Sequence, residues 1–391
     1  MYKSLKINRL CAFFFFFLLF FALIIGLNGC LKEEIKTEAP TRSLFLRYAK
    51  NFKIDTLQQG ALHVSVQVFI GKDTSTYEYL LLKNGASTPQ GYTSLPTIHV
   101  PIKRAVILSG SHHAYLKLLD AEKTIVGFSN KKYAADSSLF NQITLGNILE
   151  IGDGPSLQQE AIYNLKPDVI IAFATGSAFD SNLEKLKKAK IPVLYVSEWQ
   201  ETSPLGKAEW IYLFDALVQT NKAHDLFETE RISYETYKDS LHALNLPCPK
   251  VLLGGPSSGY WFAPGDNSYT ATLIKDAGGC IVFSPDSSRE RRFSLEQAFH
   301  FAEKAQIWLH PGIYENPQML LAEESRVKFL NPFINKRIFN FDKQKGKAGA
   351  LDFYENGVTN PSKVLLEVIN ILHLDTAKKN LFTWYRNIFY N

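Results

Sequence analysis

From Arg104 onward the chain alternates short, largely apolar segments with amphipathic helical segments, and this alternation limits the possible fold more than any other feature. Ala105-Val-Ile-Leu108, Thr124–Phe128, Val169-Ile-Ile-Ala-Phe173 and Val193-Leu-Tyr-Val196 read as strands. Ala114–Leu119, Ser156–Leu165 and Asn182–Ala189 read as the helices between them. A strand without a polar face must be covered on both sides, which a parallel sheet flanked by helices provides. After Pro247 and Pro249 the pattern resumes, with strands at Val251–Leu253, Ile281–Phe283, Ile307–Leu309 and Ile338–Phe341. Helices are expected at Tyr269–Asp276, Leu295–Lys304 and Ser362–Leu372. Between the two runs, Gly206 to Leu244 carries no strand signal and no proline. The simplest architecture is α/β: two lobes with parallel sheets, joined by one long connector helix. Loops at the carboxyl ends of the strands then face each other across a cleft, where open α/β sheets place their ligands.

The residues before this alternation behave differently. Leu62, Val64, Val66 and Val68 alternate with His63, Ser65 and Gln67, and Tyr77–Leu82 supplies a second strand, with Lys72-Asp73 as the turn. Strict period-two patterning indicates an extra antiparallel hairpin layer over residues 44–100. Lobe one then spans 101–205, the connector 206–246 and lobe two 247–391. Residues 30–43 are polar, contain Pro40 and read as a tether.

At the amino terminus, Lys3, Lys6 and Arg9 precede an apolar run from Leu10 to Leu27. This is the layout of an export signal, residues 1–29. Leu27-Asn28-Gly29-Cys30 resembles the bacterial lipoprotein box. The resemblance implies a lipidated Cys30 at the mature amino terminus and anchoring on the periplasmic face of the envelope. A signal-anchor helix with a chance cysteine is the alternative. Leu31-Lys32-Glu33-Glu34 resembles a surface-export signal, which would put the protein on the outer cell surface; ordinary solvation of a tether explains the same charges.

The formal net charge is +5, part of it in the signal, and the mature chain has no basic block of five or more residues, so nucleic acid is not an expected partner. No P-loop is present, no Gly-x-Gly-x-x-Gly follows a strand and no Gly-x-Ser-x-Gly nucleophile elbow is expected, so a binding protein is expected rather than an enzyme, with no resident cofactor; a lipoprotein hydrolase is the alternative. Cys248 and Cys280 both precede strands of one lobe and are either disulfide-bonded or buried as free thiols.

Two segments echo one another. Ser156-Leu-Gln-Gln159 precedes Glu160, and Ser294-Leu-Glu296-Gln297 opens the corresponding helix of the second lobe. Each reads as a capping box, serine at the N-cap and glutamine three residues on. Glu160 leads through Leu165-Lys166-Pro167-Asp168 into an apolar strand, and Glu296 leads to Ala305-Gln306-Ile-Trp-Leu309. Together with Trp261-Phe-Ala-Pro264-Gly265-Asp-Asn267-Ser268-Tyr269, Asp276-Ala-Gly-Gly279 and Asn360-Pro361 to Ile371-Leu-His373, these segments resemble the periplasmic iron–siderophore and cobalamin-binding proteins of ABC importers. The resemblance covers residues 102–374 and implies a large metal-chelate ligand: a ferric siderophore, a corrinoid or haem. It further implies that Glu160 and Glu296 dock into arginine pockets of the two permease subunits; helix capping alone is the plainer role for both. Two departures stand out: the amino-terminal layer is extra, and Gln306 occupies a position usually held by an acid.

Candidate ligand residues sit on expected strand-end loops. They are His112 within Ser109-Gly-Ser-His112-His113, Thr175-Gly-Ser177, Trp199 within Ser197–Gln200, and, in lobe two, Ser257, Ser258, Tyr260, Trp261 and Asn267. Aromatic rings can stack on a macrocycle, and amides and hydroxyls can bond its periphery. Trp261 could instead pack lobe two, and His112 could be an ordinary core residue. The other histidines are dispersed, without the spacing of a zinc or manganese site, so no metal bound directly by the protein is expected.

Overall fold

The computed structural model describes residues 40–173, 178–282, 290–374 and 382–390. Cys30, the export signal and Thr175-Gly-Ser177 lie outside the described residues.

The amino-terminal layer is a five-stranded sheet of β1 (Arg42–Ser43), β2 (Phe52–Thr56), β3 (Leu62–Ile70), β4 (Asp73–Lys83) and β5 (Thr97–Val100), in that order. Pairing is antiparallel except between β4 and β5. The hairpin of β3 and β4 turns at Gly71-Lys72, one residue earlier than expected, because Gly71 takes the left-handed conformation (φ 61°) that the reversal requires. Val64, Val66 and Val68 point inward and are fully buried. They join one continuous apolar core with the strands of lobe one, so the layer is not a separate module.

Lobe one contains β6 (Ala105–Ile107), β7 (Ile125–Phe128), β8 (Leu149–Glu150), β9 (Val169–Ala172) and β10 (Val193–Tyr195), all parallel, in the order β10-β9-β6-β7-β8. Lobe two contains β11 (Lys250–Leu253), β14 (Cys280–Ile281), β16 (Ile307–Leu309), β17 (Ile338–Asn340) and β18 (Arg386–Asn387), in the order β14-β11-β16-β17-β18 with only β18 antiparallel. Its apolar cores lie on the two faces of that sheet. A second, three-stranded antiparallel sheet, absent from the sequence expectation, pairs β12 (Gly255–Ser257), β13 (Tyr260–Ala263) and β15 (Arg291–Ser294).

The connector is the 21-residue helix Ala223–Ala243, preceded by the shorter helices Pro204–Ala208 and Ile211–Val218. The chain turns between them without proline. Gln219 and Asn221 adopt positive φ, and the Asp215 carboxylate accepts the N–H groups of Thr220, Asn221 and Ala223 at 2.9, 3.0 and 3.2 Å. A side chain that satisfies the freed amides makes this break cheap.

The two echoed helix starts differ. In lobe two the capping box forms: Gln297 N–H donates to Ser294 Oγ at 3.2 Å, and Ser294 N–H to Gln297 Oε1 at 3.3 Å. In lobe one Ser156 is not the helix cap. Its hydroxyl takes the Asp153 N–H at 3.2 Å and closes a 3-10 turn, so the helix begins only at Gln159. Both glutamates nevertheless occupy the second residue of their helix, and both are exposed. Cys248 and Cys280 form a disulfide with Cα atoms 5.6 Å apart, tying the entry of β11 to its neighbour β14.

Candidate functional site

A cleft of about 1900 Å³ lies at the strand ends of both lobes. Lobe one contributes the Trp199–Thr202 turn, the helix Pro204–Ala208 contributes Lys207, and lobe two contributes the segments after β11, β16 and β17. The amino-terminal layer also reaches it, through Gln67 and Phe69–Gly71 at the hairpin tip.

Close backbone approach shapes the floor. A Cβ on Gly255 would fall 1.8 Å from the Pro311 carbonyl oxygen, so only glycine lets the exits of β11 and β16 meet there. Beside it, His310 sits in the left-handed region (φ 55°), and its Nε2 lies 2.8 Å from the Tyr385 hydroxyl. The ring stacks on Tyr385 and meets Phe341 edge-on at 4.6 Å. Burial pushes its pKa down to about 3, so the imidazole is neutral. The sequence reading missed His310, although the strand-end rule that selected Trp199 applies equally to the residue after Leu309.

Charge in the cleft is unevenly engaged. Glu201 accepts the Lys50 and Asn51 N–H groups, both at 3.0 Å, and the Trp210 indole N–H at 3.1 Å. Burial raises its pKa, and these donors pull against that shift. Its work is to hold the chain before β2. Lys207 has no carboxylate within ion-pair distance among the described residues; its ammonium lies 4.3 Å from the centre of the Tyr269 ring. Burial lowers its pKa, opposed by the charges of Glu198 and Glu201. A cation over an aromatic face at the bottom of a cleft is poised to receive an anionic group.

Of the candidates from sequence, Trp199, Ser257 and Asn267 line the cleft. Tyr260 is exposed but lies outside the lining, with the Arg292 guanidinium 4.4 Å from its ring centre. Trp261 is fully buried: its indole N–H donates to Leu253 O at 3.0 Å and its ring stacks on Trp308 at 5.1 Å. The reason is strand alternation. On β13, Phe262 takes the cleft face and Trp261 must take the other.

His112 is also placed in the core. The Ser109–His113 segment is not a loop but the start of the helix Gly110–Leu118, capped by Ser109 Oγ accepting the Ser111 N–H at 3.3 Å. The His112 ring is fully enclosed, 5.9 Å from that of Phe214, and burial lowers its pKa. His113 faces the other way and bonds Glu355 of the far lobe through Nδ1 at 2.6 Å.

Gly255-Pro256-Ser257-Ser258-Gly259 carries the letters of the hydrolase nucleophile motif. Its setting is different: the residues form an antiparallel hairpin between β12 and β13 rather than a strand-to-helix elbow, and Ser257 is exposed. Among the described residues no group of three or more His, Cys, Asp or Glu side chains could hold a metal ion. No helix among them is long and apolar enough to cross a membrane.

The unusual Gln306 has a plain explanation. Its Oε1 accepts the Lys250 N–H at 2.8 Å at the start of β11, and Asp168 does the same at the start of β6, accepting the Lys103 and Arg104 N–H groups at 2.6 and 2.9 Å. A carboxamide oxygen serves where an acid was expected.

Comparison with known proteins agrees with this geometry. Residues 106–342 match the model of a family described as periplasmic binding protein. The chain is 21% identical to "Uncharacterized lipoprotein MJ0878" of Methanocaldococcus jannaschii over 90% of each protein. Among solved structures it is similar to a possible iron-binding, periplasmic solute-binding protein from Staphylococcus epidermidis, with TM-score 0.54 and 16% identity over 70% of this chain and 99% of that one. It is also similar to a periplasmic heme-binding protein from Pseudomonas aeruginosa, with TM-score 0.53 and 16% identity over 70% of this chain and 94% of the other. Two lobes on a helical connector, a cleft at their strand ends and a match over most of both lobes lead to one conclusion: the chain belongs to the periplasmic binding protein family.

Proposed function

We propose that this protein is the substrate-binding lipoprotein of an ABC importer, capturing a large metal chelate (a ferric siderophore, a corrinoid or haem) and delivering it to the membrane permease. The observation that carries this reading is the cleft. At about 1900 Å³ it exceeds the roughly 300–1,000 Å³ that suits drug-sized ligands. Its wall combines exposed aromatic side chains with the Lys207 ammonium, which suits a bulky, partly apolar ligand with an anionic periphery. The similar structures named for iron and heme binding point the same way. In this reading Trp199 and Asn267 contact the ligand, Cys30 carries the lipid, and Glu160 and Glu296 engage the two permease subunits from their matched helix positions.

The test is to titrate the detergent-extracted mature protein with haemin, cyanocobalamin and ferrichrome while recording absorption and tryptophan fluorescence. Saturable binding of one probe at micromolar concentration or below is expected; binding of none would overturn the reading. Capture on the outer surface is a second reading, favoured by Leu31-Lys32-Glu33-Glu34 after the anchor cysteine. Protease treatment of intact cells separates the two, since only a surface protein is shaved.

A further inference from the structure

We propose that the tip of the amino-terminal β3–β4 hairpin is a third wall of the cleft, and that Phe69 and Trp199 together grip an apolar face of the bound ligand. This rests on the metal-chelate reading above and adds to it which residues select the ligand. The family match begins at residue 106, after the whole amino-terminal sheet, so the family pattern assigns this wall no role.

Strand alternation first decides where Phe69 points. Val64, Val66 and Val68 of β3 face the shared core, so Phe69 faces the opposite side. There it lines the cleft and keeps 37% of its surface exposed, while Trp199 on the neighbouring turn keeps 48%. Two large apolar side chains left open in one cavity are the usual mark of a ligand contact rather than of a core.

A specific clamp then holds the two together. The Gln200 carboxamide takes both backbone groups of Phe69: Phe69 N–H donates to Oε1 at 2.9 Å, and Nε2 donates to Phe69 O at 2.7 Å. The Ser197 hydroxyl adds a bond to Gln67 O at 2.7 Å. The amide thus mimics one rung of a β-ladder and stitches the hairpin tip to the turn bearing Trp199. Across the cleft, Ile313 and Tyr354 of lobe two are 87% and 57% exposed. A ligand between these walls meets apolar surface on two sides and Lys207 below. A hydrated ion or a small oxyanion offers no apolar face to such walls; an organic chelate does.

The experiment uses the mature lipoprotein in detergent and whichever of haemin, cyanocobalamin or ferrichrome the wild type binds. Phe69→Ala and Trp199→Ala are each expected to weaken binding about tenfold, and Phe69→Tyr, which keeps the ring, to stay within about twofold. Gln200→Ala, which removes the clamp on the Phe69 backbone, is expected to fall between them and to speed amide exchange at Ile70–Lys72. In the unmodified protein the probe should slow exchange of those same amides, a measurement independent of whether any variant folds. If the wild type binds a probe but both alanine variants match it within about twofold, or the hairpin amides gain no protection, the third wall is wrong and the importer reading stands. If the wild type binds none of the probes, the importer reading fails and the third wall with it.

Discussion

The first and last described segments are fastened by the same device and used differently. At the amino-terminal end, the buried Glu209 carboxylate accepts three consecutive N–H groups, from Arg47, Tyr48 and Ala49, at 2.9, 2.8 and 2.7 Å. At the carboxyl-terminal end, the buried Glu367 carboxylate does the same for Thr383, Trp384 and Tyr385, at 2.5, 3.1 and 3.1 Å. A carboxylate offers about four acceptor sites, enough to satisfy a run of amides that has no strand partner. The difference lies in what each fastened segment then builds. The amino-terminal segment leads into a five-stranded sheet that shares the core of lobe one and reaches the cleft. The carboxyl-terminal segment supplies the short edge strand β18 and the buried Trp384 and Tyr385 of the lobe-two core, and lobe two relies in addition on its disulfide. One kind of joint can therefore either close an edge or carry a whole binding wall.

The sharpest way to break this comparison is to remove the joints. Glu209→Ala strands three amide donors, each costing about 1–3 kcal/mol when left unbonded, so a loss of about 4 kcal/mol is expected, and a similar one for Glu367→Ala. Urea unfolding measures both. A loss below about 1 kcal/mol at either site would mean that water replaces the carboxylate and that the joint is dispensable there. Next in size is the disulfide, which has no counterpart in lobe one. Its half-cystines are 32 residues apart, and Cys248→Ser with Cys280→Ser should cost about 3.5 kcal/mol. Hydrogen exchange should place the loosening around β11 and β14; uniform loosening of both lobes would contradict the assignment to lobe two.

A smaller effect concerns the contact between lobes. Glu355 binds His113 through one oxygen and the Ala135 N–H, at 2.7 Å, through the other. Burial opposes protonation of His113, but the hydrogen bond and charge of Glu355 outweigh it, so the histidine pKa is raised. The stabilisation is therefore complete below the unfolded histidine value of about 6.5 and is lost as the pH climbs through the higher folded value. Denaturation midpoints should fall as the pH rises above about 6.5, and His113→Gln should flatten that slope. An unchanged slope in the variant would assign the pH dependence elsewhere. The least effect on stability belongs to Glu160→Gln and Glu296→Gln. Both side chains are exposed, and Glu296 lies 3.6 Å from the Arg326 guanidinium, so each change should lower the unfolding midpoint only slightly. Ligand affinity should also hold while uptake falls, most in the double variant, because each lobe would lose the charge that an arginine requires. Normal uptake in a normally exported double variant would leave these glutamates as helix-start residues only.

Much of the architecture was legible because its causes are local. Strands buried on both faces need largely apolar residues, so β6, β7, β9, β10, β11, β16 and β17 stood out, and period-two patterning marked the β3–β4 hairpin. The β12-β13-β15 sheet did not stand out. Gly254-Gly255-Pro256 reads as a turn, and Arg291-Arg292 reads as surface, yet tertiary pairing recruits both segments. The same hidden sheet explains why Trp261 was misplaced: its direction depends on a register that no local pattern specifies. His112 was misplaced because Ser109 caps a helix earlier than the apolar periodicity suggested.

Local sequence was enough to place the two α/β lobes, their helical connector, a glutamate near the start of each paired helix, and a cleft at the strand ends. These follow from burial, capping and chain direction, which act over a few neighbouring residues. Long-range packing put Trp199, Ser257 and Asn267 on the cleft lining, Trp261 and His112 in the core, and Phe69 and His310 in the wall. Which way a side chain faces is set by partners far away in sequence, Gln200 for the Phe69 backbone and Tyr385 for the His310 ring, and that pairing exists only once the chain has folded.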